Sequence, residues 1–471
     1  GTRAKEDAML LERIYDEDLA QAGYLIGCQA EGEALVVDAR RDISQYLELA
    51  AAHDMAITAV AETHIHADYL SGTRELAAAT GAQMYVSGEG GEDWQYEFDA
   101  TRLYDGDEIT LGNITVKAVH TPGHTPEHLS FLVTDGAFAD EPGYMLTGDF
   151  VFSGDVGRPD LLDEAAGGVD TRFAGARQIF AALKEFVTLP DHLQVFPGHG
   201  SGSACGKALG ALPSTSVGYE SRFAWWAGYV ADDDEEGFVS ELLDGQPDAH
   251  AYFGRMKRQN KRGPALLGPM SDPAELSNTE VAEGIAADEF VVVDTRPADR
   301  VHDGTVVGSL NIPGPGKAAT YGSWAYDPER ESRPLVLLAA DQVEAAEMRD
   351  HLVRVGIDAV AGFVTDFDGL PMITPEIVDG ARLGTLDDAL LLDVRNKTEH
   401  AEGHIPGSQQ LSAGRVLWNL DRLPADQLIV TYCQTGTRNS VAASALRRAG
   451  YRVAELDGSY AGWVARQTAA A

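Results

Sequence analysis

The stretch Glu62-Thr63-His64-Ile65-His66-Ala67-Asp68-Tyr69 decides the fold, because it places two histidines and an aspartate within five positions directly after the apolar run 55–61. Alternate residues of an extended chain share a face, so both imidazoles are predicted to point into one cleft. Imidazoles and a carboxylate that converge are metal ligands, whereas unligated polar groups are costly to bury. The stretch therefore indicates a metal-binding cleft at the end of a strand. A solvated, histidine-rich loop is the alternative interpretation.

Three later strand ends carry the same kinds of residues. Apolar runs lead into the turn Pro122-Gly123-His124-Thr125, into Thr147-Gly148-Asp149 and into Pro197-Gly198-His199. A metal cleft at the edge of a sheet needs ligands from several strands, and glycines permit the tight turns that present them. We expect these three turns to converge with the 62–69 stretch.

Composition limits the classes of function. With 471 residues the chain is too long for one ordinary core, and its formal net charge of −38 argues against a nucleic-acid partner. It contains no apolar run of about 18 residues, and its N-terminal stretch lacks the pattern of a signal peptide. Three scattered cysteines fit a reducing compartment. We expect a cytoplasmic protein without a membrane partner, and a homo-oligomer is compatible with the sequence.

An internal repeat occupies the second half of the chain. The segment 290–296 echoes 390–395, and Gly304 and Gly308 match Gly403 and Gly407 at a constant offset. Beyond residue 264 the composition changes, and a linker is predicted near 264–272. The repeat therefore predicts three domains, at residues 1–264, 273–371 and 376–471.

A reactive cysteine is predicted in the last repeat. The apolar strand 428–432 leads into Cys433-Gln434-Thr435-Gly436-Thr437-Arg438, and a helical pattern follows. Backbone N–H groups at a helix N-terminus, with an arginine five residues after the cysteine, favour a thiolate and would hold a persulfide anion. An inert buried cysteine is the alternative. The aligned residue of the middle repeat is Ala339, and Glu344 stands in place of the arginine, so we expect that repeat to be catalytically inactive.

These motifs resemble two known families. The pattern His64-x-His66-x-Asp68, with the turns at His124, Asp149 and His199, resembles the metallo-β-lactamase fold. The Asp-x-Arg that follows an apolar strand, the stretch Gly403-His404-Ile405-Pro406-Gly407 and the loop of Cys433 resemble the rhodanese domain. The resemblance implies an α/β multidomain protein, in which a metallo-β-lactamase αββα sandwich precedes two rhodanese-like α/β domains.

Within the first family, Tyr69 points to one branch. Thiolester hydrolases of the glyoxalase II type have a histidine at that position, which completes a two-metal site. Its replacement by tyrosine, together with the segments 157–160 and 252–257, is similar to the persulfide dioxygenases. The resemblance implies one Fe(II) per chain, bound by His64, His124 and Asp149. The residues expected to orient these ligands or to hold water are His66, Asp68, Tyr69 and His199. An inherited pocket that has lost its second metal is the alternative for these four.

The resemblance also implies residues that bind substrate or carry sulfur. Arg158, Tyr252 and Arg258 are expected to bind a low-molecular-weight thiol persulfide, although a surface position is the alternative for the arginines. Cys205 is expected to take up sulfane sulfur near the iron, with Lys207 favouring its thiolate, and an inert loop cysteine is the alternative. In the last domain, Cys433 and Arg438 are expected to be catalytic. The loop residues expected to bind substrate are Gln434, Thr435, Gly436 and Thr437.

The implied function is a bifunctional enzyme of hydrogen sulfide detoxification. Dioxygen oxidises a thiol persulfide of the glutathione persulfide type to sulfite and thiol at the iron. Sulfane-sulfur transfer at Cys433 then has thiosulfate as its product or as its sulfur donor. The main alternative is a zinc thiolester hydrolase of the glyoxalase II type fused to a sulfurtransferase. A non-enzymatic sulfur-carrier scaffold is the other.

Overall fold

The computed structural model describes residues 8–161, 163, 170–386 and 388–470. Contacts divide the chain into two compact units. One consists of Gly1–Ala249 with Phe253–Pro269, and the other of His250–Tyr252 with Met270–Ala471. None of the described helices combines the length and the apolar character that crossing a bilayer requires. The division into three domains at the predicted bounds stays a prediction.

The first unit contains two six-stranded mixed sheets. The first has the order β1-β2-β3-β4-β5-β6, and the second has the order β12-β11-β10-β9-β8-β7. The strands of the first sheet are β1 (Met9–Asp16), β2 (Gln21–Cys28), β3 (Glu33–Val37), β4 (Ala56–Ala61), β5 (Gln83–Ser87) and β6 (Thr101–Leu103). Those of the second are β7 (Glu108–Leu111), β8 (Ile114–His120), β9 (Leu129–Asp135), β10 (Tyr144–Gly148), β11 (Gln194–Pro197) and β12 (Thr215–Ser216).

The two sheets pack face to face, and helices cover their outer faces. Side chains that alternate along the strands meet in one buried cluster, which includes Ile26 and Val37 of the first sheet and Val116 and Phe131 of the second. Separate apolar clusters lie beneath the helices on each outer face. The helices are α1 (Ser44–Ala52), α2 (Thr73–Thr80), α3 (Arg172–Phe186), α4 (Val217–Phe223), α5 (Ala227–Ala231), α6 (Glu235–Leu243) and α7 (Phe253–Arg262). This four-layer arrangement confirms the expected αββα sandwich.

Local sequence signals account for several of these elements. Gly112 adopts a φ of +52° in the hairpin turn that pairs Leu111 with Ile114, where Gly112-Asn113 is a typical turn sequence. Gly81 ends α2 in the left-handed conformation with a φ of +74°, which glycine adopts without steric cost. Strand β1 is an element that the sequence patterns did not reveal.

The second unit contains two parallel sheets and a short two-stranded one. Their orders are β15-β13-β16-β17 and β19-β23-β22-β20-β21, and β14 pairs with β18. The strands are β13 (Val291–Asp294), β14 (Thr305–Val306), β15 (Leu310–Asn311), β16 (Leu335–Leu338), β17 (Val360–Val364), β18 (Met372–Ile373), β19 (Glu376–Val378), β20 (Leu390–Asp393), β21 (Gln409–Gln410), β22 (Ile429–Tyr432) and β23 (Val453–Leu456). The helices are α8 (Asn278–Ala286), α9 (Ala298–His302), α10 (Ala318–Ala325), α11 (Gln342–Arg354), α12 (Lys397–Glu402), α13 (Thr437–Arg448) and α14 (Ser459–Ala470).

The two parallel sheets show the internal repeat at the level of single hydrogen bonds. Arg296 binds the carboxylate of Asp294 and donates to the carbonyl of Gly304 at 2.7 Å. Arg395 makes the same contacts with Asp393 and with the carbonyl of Gly403, again at 2.7 Å. Four strands of each sheet share one order, and β19 is an additional edge strand of the second sheet, so the second unit contains one topology twice.

The turn that presents His124 depends on a glycine, and this dependence gives a first prediction. Gly123 has a φ of +138°, and an added Cβ would lie 2.2 Å from Cγ1 of Ile179 and 2.7 Å from the carbonyl of Gly175. We expect Gly123→Ala to lower the free energy of unfolding by about 1–3 kcal/mol, measured by urea denaturation.

The matched control is Gly143→Ala, since no atom lies within 4 Å of the Cβ that it would add. It should change stability by less than about 0.5 kcal/mol. Equal stability of the two variants would contradict this account of the turn.

Candidate functional site

Four strand ends of the first unit bring the predicted polar residues into one buried cluster. His64 follows β4, His124 follows β8, Asp149 follows β10 and His199 follows β11. Each of the four side chains is at most 4% exposed. The cluster lies where the carboxyl ends of strands from both sheets meet, as the sequence predicted.

His64, His124 and Asp149 converge on one point. Their ligand-type atoms all lie within 4.8 Å of one another, and Oδ2 of Asp149 is 3.3 Å from Nε2 of His124 and 3.8 Å from Nε2 of His64. This Oδ2 is buried and has no hydrogen-bond partner. A buried carboxylate oxygen without a partner is costly, and a cation between the three groups would satisfy it. The arrangement therefore fits a metal ion.

Hydrogen bonds select the tautomer that both imidazoles need as ligands. Nδ1 of His124 lies 2.9 Å from the carbonyl of Arg158, which only accepts, so Nδ1 carries the proton. Nδ1 of His64 lies 2.9 Å from Oγ1 of Thr63, whose hydroxyl donates to Oδ2 of Asp38 at 2.8 Å. Both Nε2 atoms are then free of protons. Burial lowers the pKa of His64 and of His124, which keeps both rings neutral.

The carboxylate of Asp149 is held by His199. Nδ1 of His199 lies 2.7 Å from Oδ1 of Asp149, and its Nε2 lies 2.7 Å from Oδ2 of Asp68. Burial alone would lower the pKa of His199, but Asp149 and then Cys205 and Asp68 raise it well above its ordinary value. Burial likewise opposes ionisation of Asp149, yet the charge and the hydrogen bond of His199 hold its pKa well below the usual range. The protonated imidazole thus keeps Asp149 ionised.

The side chains of Tyr69 and His66 both form hydrogen bonds with Asp38. The hydroxyl of Tyr69 donates to the carbonyl of Asp38 at 3.3 Å, and its ring centroid lies 4.6 Å from that of His66. Nε2 of His66 lies 2.9 Å from Oδ1 of Asp38. Burial works against protonation of His66, but Asp38 raises its pKa to about 9. A protonated imidazole is not a metal ligand.

Cys205 lies beside His199, but Lys207 does not. Sγ of Cys205 is 4.0 Å from Nε2 of His199, and Asp68, His199 and Cys205 form a second cluster of metal-type side chains among the described residues. Burial raises the pKa of Cys205 to about 12, although His199 opposes this shift. Lys207 instead donates to the carbonyls of Glu241 and Asp244. The expectation that Lys207 favours a thiolate at Cys205 is therefore wrong.

The three residues expected to bind substrate differ in their surroundings. Arg158 is fully buried, and its guanidinium binds Asp160 and the carbonyls of Ala204 and Pro247, so it has no open face toward a substrate. Arg258 is exposed on α7. Tyr252 is buried, with its ring 6.2 Å from that of His250. The guanidinium of Arg158 is therefore not available to bind substrate as expected. Its backbone carbonyl instead orients His124.

Asp38 and His128 are functional residues that the sequence patterns underrated. Asp38 accepts from the backbone and hydroxyl of Thr63 and contacts His66, while its own φ of +57° is unusual for a non-glycine residue. His128 accepts from the backbone N–H of Asp149 at 3.0 Å. Asp38 follows β3 directly, so the rule that polar residues end these strands would have found it.

The Cys433 loop of the second unit has the predicted form. Cys433 follows β22, its side chain is 1% exposed, and its Sγ accepts from the backbone N–H of Gly436 at 3.1 Å. Helix α13 begins at Thr437, with Gly436 at a φ of +121° before it. Arg438 binds both oxygens of Glu399 at 2.6 and 2.9 Å. The thiol therefore lies at a helix N-terminus with an N–H group directed at it.

The corresponding loop of the middle repeat is filled by its own side chains. Ala339 is buried at the cysteine position. The carboxylate of Glu344 accepts from the backbone N–H of Ala340, and Asp341 accepts from the backbone N–H of Glu344 at 2.9 Å. Two carboxylates thus occupy donors of the kind that would otherwise receive an anionic substrate.

Comparisons with known proteins find a different family in each of the two units. Residues 17–199 match the metallo-beta-lactamase superfamily, and residues 381–466 match the rhodanese-like domain. A mitochondrial persulfide dioxygenase of Bos taurus is 27% identical over 200 residues, which are 41% of this chain and 68% of that protein. A hydroxyacylglutathione hydrolase of Rhodospirillum rubrum is 30% identical over 37% of this chain, and the match spans only 60% of that enzyme.

One solved structure is similar to more of this chain than the residues 17–199 that match the metallo-beta-lactamase superfamily. The crystal structure of a metallo-beta-lactamase from Staphylococcus aureus subsp. aureus COL is 36% identical, with a TM-score of 0.66. The similarity covers 76% of this chain and 100% of that one. The shared architecture therefore includes more than residues 17–199.

The hydrogen bonds that His64 donates to Thr63 and that Thr63 donates to Asp38 give a second prediction. In Asp38→Asn, the new amide would donate to Thr63, whose hydroxyl would then donate to Nδ1 of His64 and leave the proton on Nε2. That tautomer cannot bind a metal, so we expect metal affinity to fall about 10–100-fold while the fold persists.

Competition with a chromophoric chelator measures the affinity, and urea denaturation tests the fold. Thr63→Val is the matched control, because it leaves His64 free to adopt either tautomer and should cost less affinity. Parental affinity in Asp38→Asn would contradict the proposed control of the tautomer.

Proposed function

The chain belongs to the metallo-beta-lactamase superfamily and carries a rhodanese-like domain, and on that premise we propose that it is a cytoplasmic, iron-dependent persulfide dioxygenase coupled to a sulfurtransferase. The observation that carries the proposal is the set of ligands around Asp149. Two neutral imidazoles and one carboxylate converge there, and this sequence has Tyr69 where the resemblance to the glyoxalase II type implies a further histidine ligand. Two histidines with one carboxylate are the donor set of non-haem Fe(II) oxygenases.

His64, His124 and Asp149 would hold one Fe(II) per chain, which supplies the dioxygen chemistry when bound. The protein's own residues prepare that site. The carbonyl of Arg158 and the hydroxyl of Thr63 direct both Nε2 atoms inward, and His199 keeps Asp149 ionised. All of these groups are buried, so bulk water is excluded from the ligands.

The proposed reaction balances without a further reductant. A thiol persulfide, dioxygen and water give the thiol, sulfite and two protons, so the terminal sulfur is oxidised and dioxygen is reduced. At the second site, the terminal sulfur of a Cys433 persulfide is transferred to sulfite, which gives thiosulfate and the free cysteine. The reverse sequence, in which Cys433 takes sulfur from thiosulfate and passes it to a thiol, uses the same residues. The substrates are therefore small molecules, and no nucleic acid is involved.

The middle repeat has no catalytic part in this scheme. Ala339 offers no sulfur, and the carboxylate of Glu344 lies where an anionic substrate would need a donor. We propose that this repeat is an inactive rhodanese-like domain.

A zinc thiolester hydrolase is the second candidate function. It is favoured by the hydroxyacylglutathione hydrolases among the relatives, one of which, from Rhodospirillum rubrum, is 30% identical. Such an enzyme would release thiol from S-lactoylglutathione without dioxygen. The two candidates are distinguished by offering purified protein glutathione persulfide and S-lactoylglutathione in separate reactions and following dioxygen and free thiol.

The ligand set gives a third prediction. Replacing His124 by Ala removes one of three protein ligands, so dioxygen uptake with glutathione persulfide should fall to background and iron content should fall with it. Sulfur transfer from thiosulfate to cyanide should persist, because Cys433 belongs to the other unit. Loss of both activities, or undiminished dioxygen uptake, would contradict the assignment.

The loop of Cys433 gives a fourth prediction. A serine hydroxyl is nearly isosteric but carries no sulfane sulfur, so Cys433→Ser should abolish sulfur transfer and leave the iron site intact. If oxidation comes first, the variant should release sulfite where the parent releases thiosulfate. If sulfur transfer comes first, it should lose only the dioxygen uptake that thiosulfate drives. A variant identical to the parent in both assays would show that Cys433 does not couple to the iron.

A further inference from the structure

A buried polar network joins the middle repeat to the helix of the reactive cysteine. The side chain of Asn311 in β15 accepts from the hydroxyl of Ser440 at 2.7 Å, and its backbone N–H donates to Oγ of Ser444 at 2.9 Å. All three residues are at most 2% exposed. Both serines lie on α13, whereas Asn311 belongs to the sheet of the catalytically inactive copy.

The orientation of Asn311 is determined by its own repeat. Its Nδ2 donates to the carbonyls of Asp294 and Arg296, each at 2.9 Å. Both amide hydrogens are thus engaged, and Oδ1 is left as an acceptor that faces α13. Since every member of the network has a partner, it allows one relative position of β15 and α13 and disfavours others.

Three consecutive hydrogen bonds lead from Asn311 to the sulfur. Ser440 donates its hydroxyl to Asn311, and its backbone N–H donates to the carbonyl of Gly436 at 3.0 Å. The backbone N–H of Gly436 donates to Sγ of Cys433 at 3.1 Å. Gly436 is therefore bonded on one side to the residue that Asn311 holds and on the other to the thiol.

We propose that the inactive repeat positions the active one: through Ser440, Asn311 holds the first turn of α13 so that the N–H of Gly436 points at the sulfur of Cys433. Asn311 and Ser440 are positioning residues, because neither touches the sulfur. Their role deepens the proposed function of Cys433 as a sulfur carrier and rests on it. The copy that has Ala339 in place of a cysteine would thereby be necessary for the chemistry of its neighbour.

The other end of α13 offers an internal control. Arg448, the last residue of the helix, binds Glu331 of the same middle repeat at 2.7 and 3.2 Å. This contact joins the two repeats as well, but it lies at the C-terminal end of α13, about three turns from Thr437 and from the loop of Cys433. Glu331→Gln should weaken the contact between the two repeats without disturbing Gly436. If the hydrogen bonds of Asn311 only held the two repeats together, Glu331→Gln and Ser440→Ala would have equal effects on Cys433.

The test measures the reactivity of Cys433 in the full chain. Iodoacetamide alkylation of the Cys433 peptide, followed by mass spectrometry between about pH 5 and pH 10, reports the thiolate without any need for turnover. We expect Asn311→Ala and Ser440→Ala to move the half-maximal rate to higher pH and to lower kcat of thiosulfate–cyanide transfer about tenfold with KM little changed. Glu331→Gln should match the parent in both measurements.

Parental alkylation and parental kcat in Ser440→Ala would overturn the proposal, and so would an equal shift in Glu331→Gln. If Asn311→Ala fails to fold, Ser440→Ala alone decides, since it removes one oxygen atom and thermal unfolding shows whether it is intact. If Cys433 of the unmutated protein is readily alkylated but transfers no sulfur, the proposed function is contradicted. The effect of Asn311 and Ser440 on Cys433 can still be measured by alkylation in that case.

Discussion

The candidate metal centre depends on the different surroundings of the two carboxylate oxygens of Asp149. Oδ1 is bound by His199, which the carboxylates on either side keep protonated, and Oδ2 is buried without a partner between two neutral imidazoles. A carboxylate is stable in this interior only because His199 compensates its charge. The remaining bare oxygen, together with Nε2 of His64 and of His124, makes a cation the natural occupant. The β-strands, turns and glycines of the first unit all serve to bring these groups to one point.

Much of this site could be predicted because its residues stand at the ends of apolar strands. The turns at His124, Asp149 and His199 were found from Gly and Pro neighbours, and the αββα sandwich was implied by the resemblance of these motifs to the metallo-β-lactamase fold. Asp38 was missed because no such neighbour marks it, although it too ends a strand. The expected contact of Lys207 failed for a different reason. A long side chain reaches whichever acceptors tertiary folding supplies, here the carbonyls of Glu241 and Asp244, and no local pattern reveals them.

The second unit contains one topology twice, and the two copies differ in a few side chains of the corresponding loop. The C-terminal copy directs the N–H of Gly436 at Cys433, whereas in the middle copy the backbone N–H groups of Ala340 and Glu344 donate to Glu344 and Asp341. The internal repeat and the absence of a cysteine were both visible in the sequence. That Glu344 bonds to the loop itself was not, because the sequence showed only a reversal of charge. In the same way, the contact between Asn311 and Ser440 joins residues far apart in the chain, and only the folded unit reveals it.

The central proposal is that His64, His124 and Asp149 hold an iron ion at which dioxygen oxidises a thiol persulfide. It is tested most directly by the stoichiometry of the parent protein, purified anaerobically and loaded with Fe(II). With glutathione persulfide as substrate, the account predicts one dioxygen consumed for each sulfur that appears as sulfite or, after transfer, as the oxidised sulfur of thiosulfate. Persulfide that disappears without dioxygen uptake, while S-lactoylglutathione is hydrolysed, would contradict it.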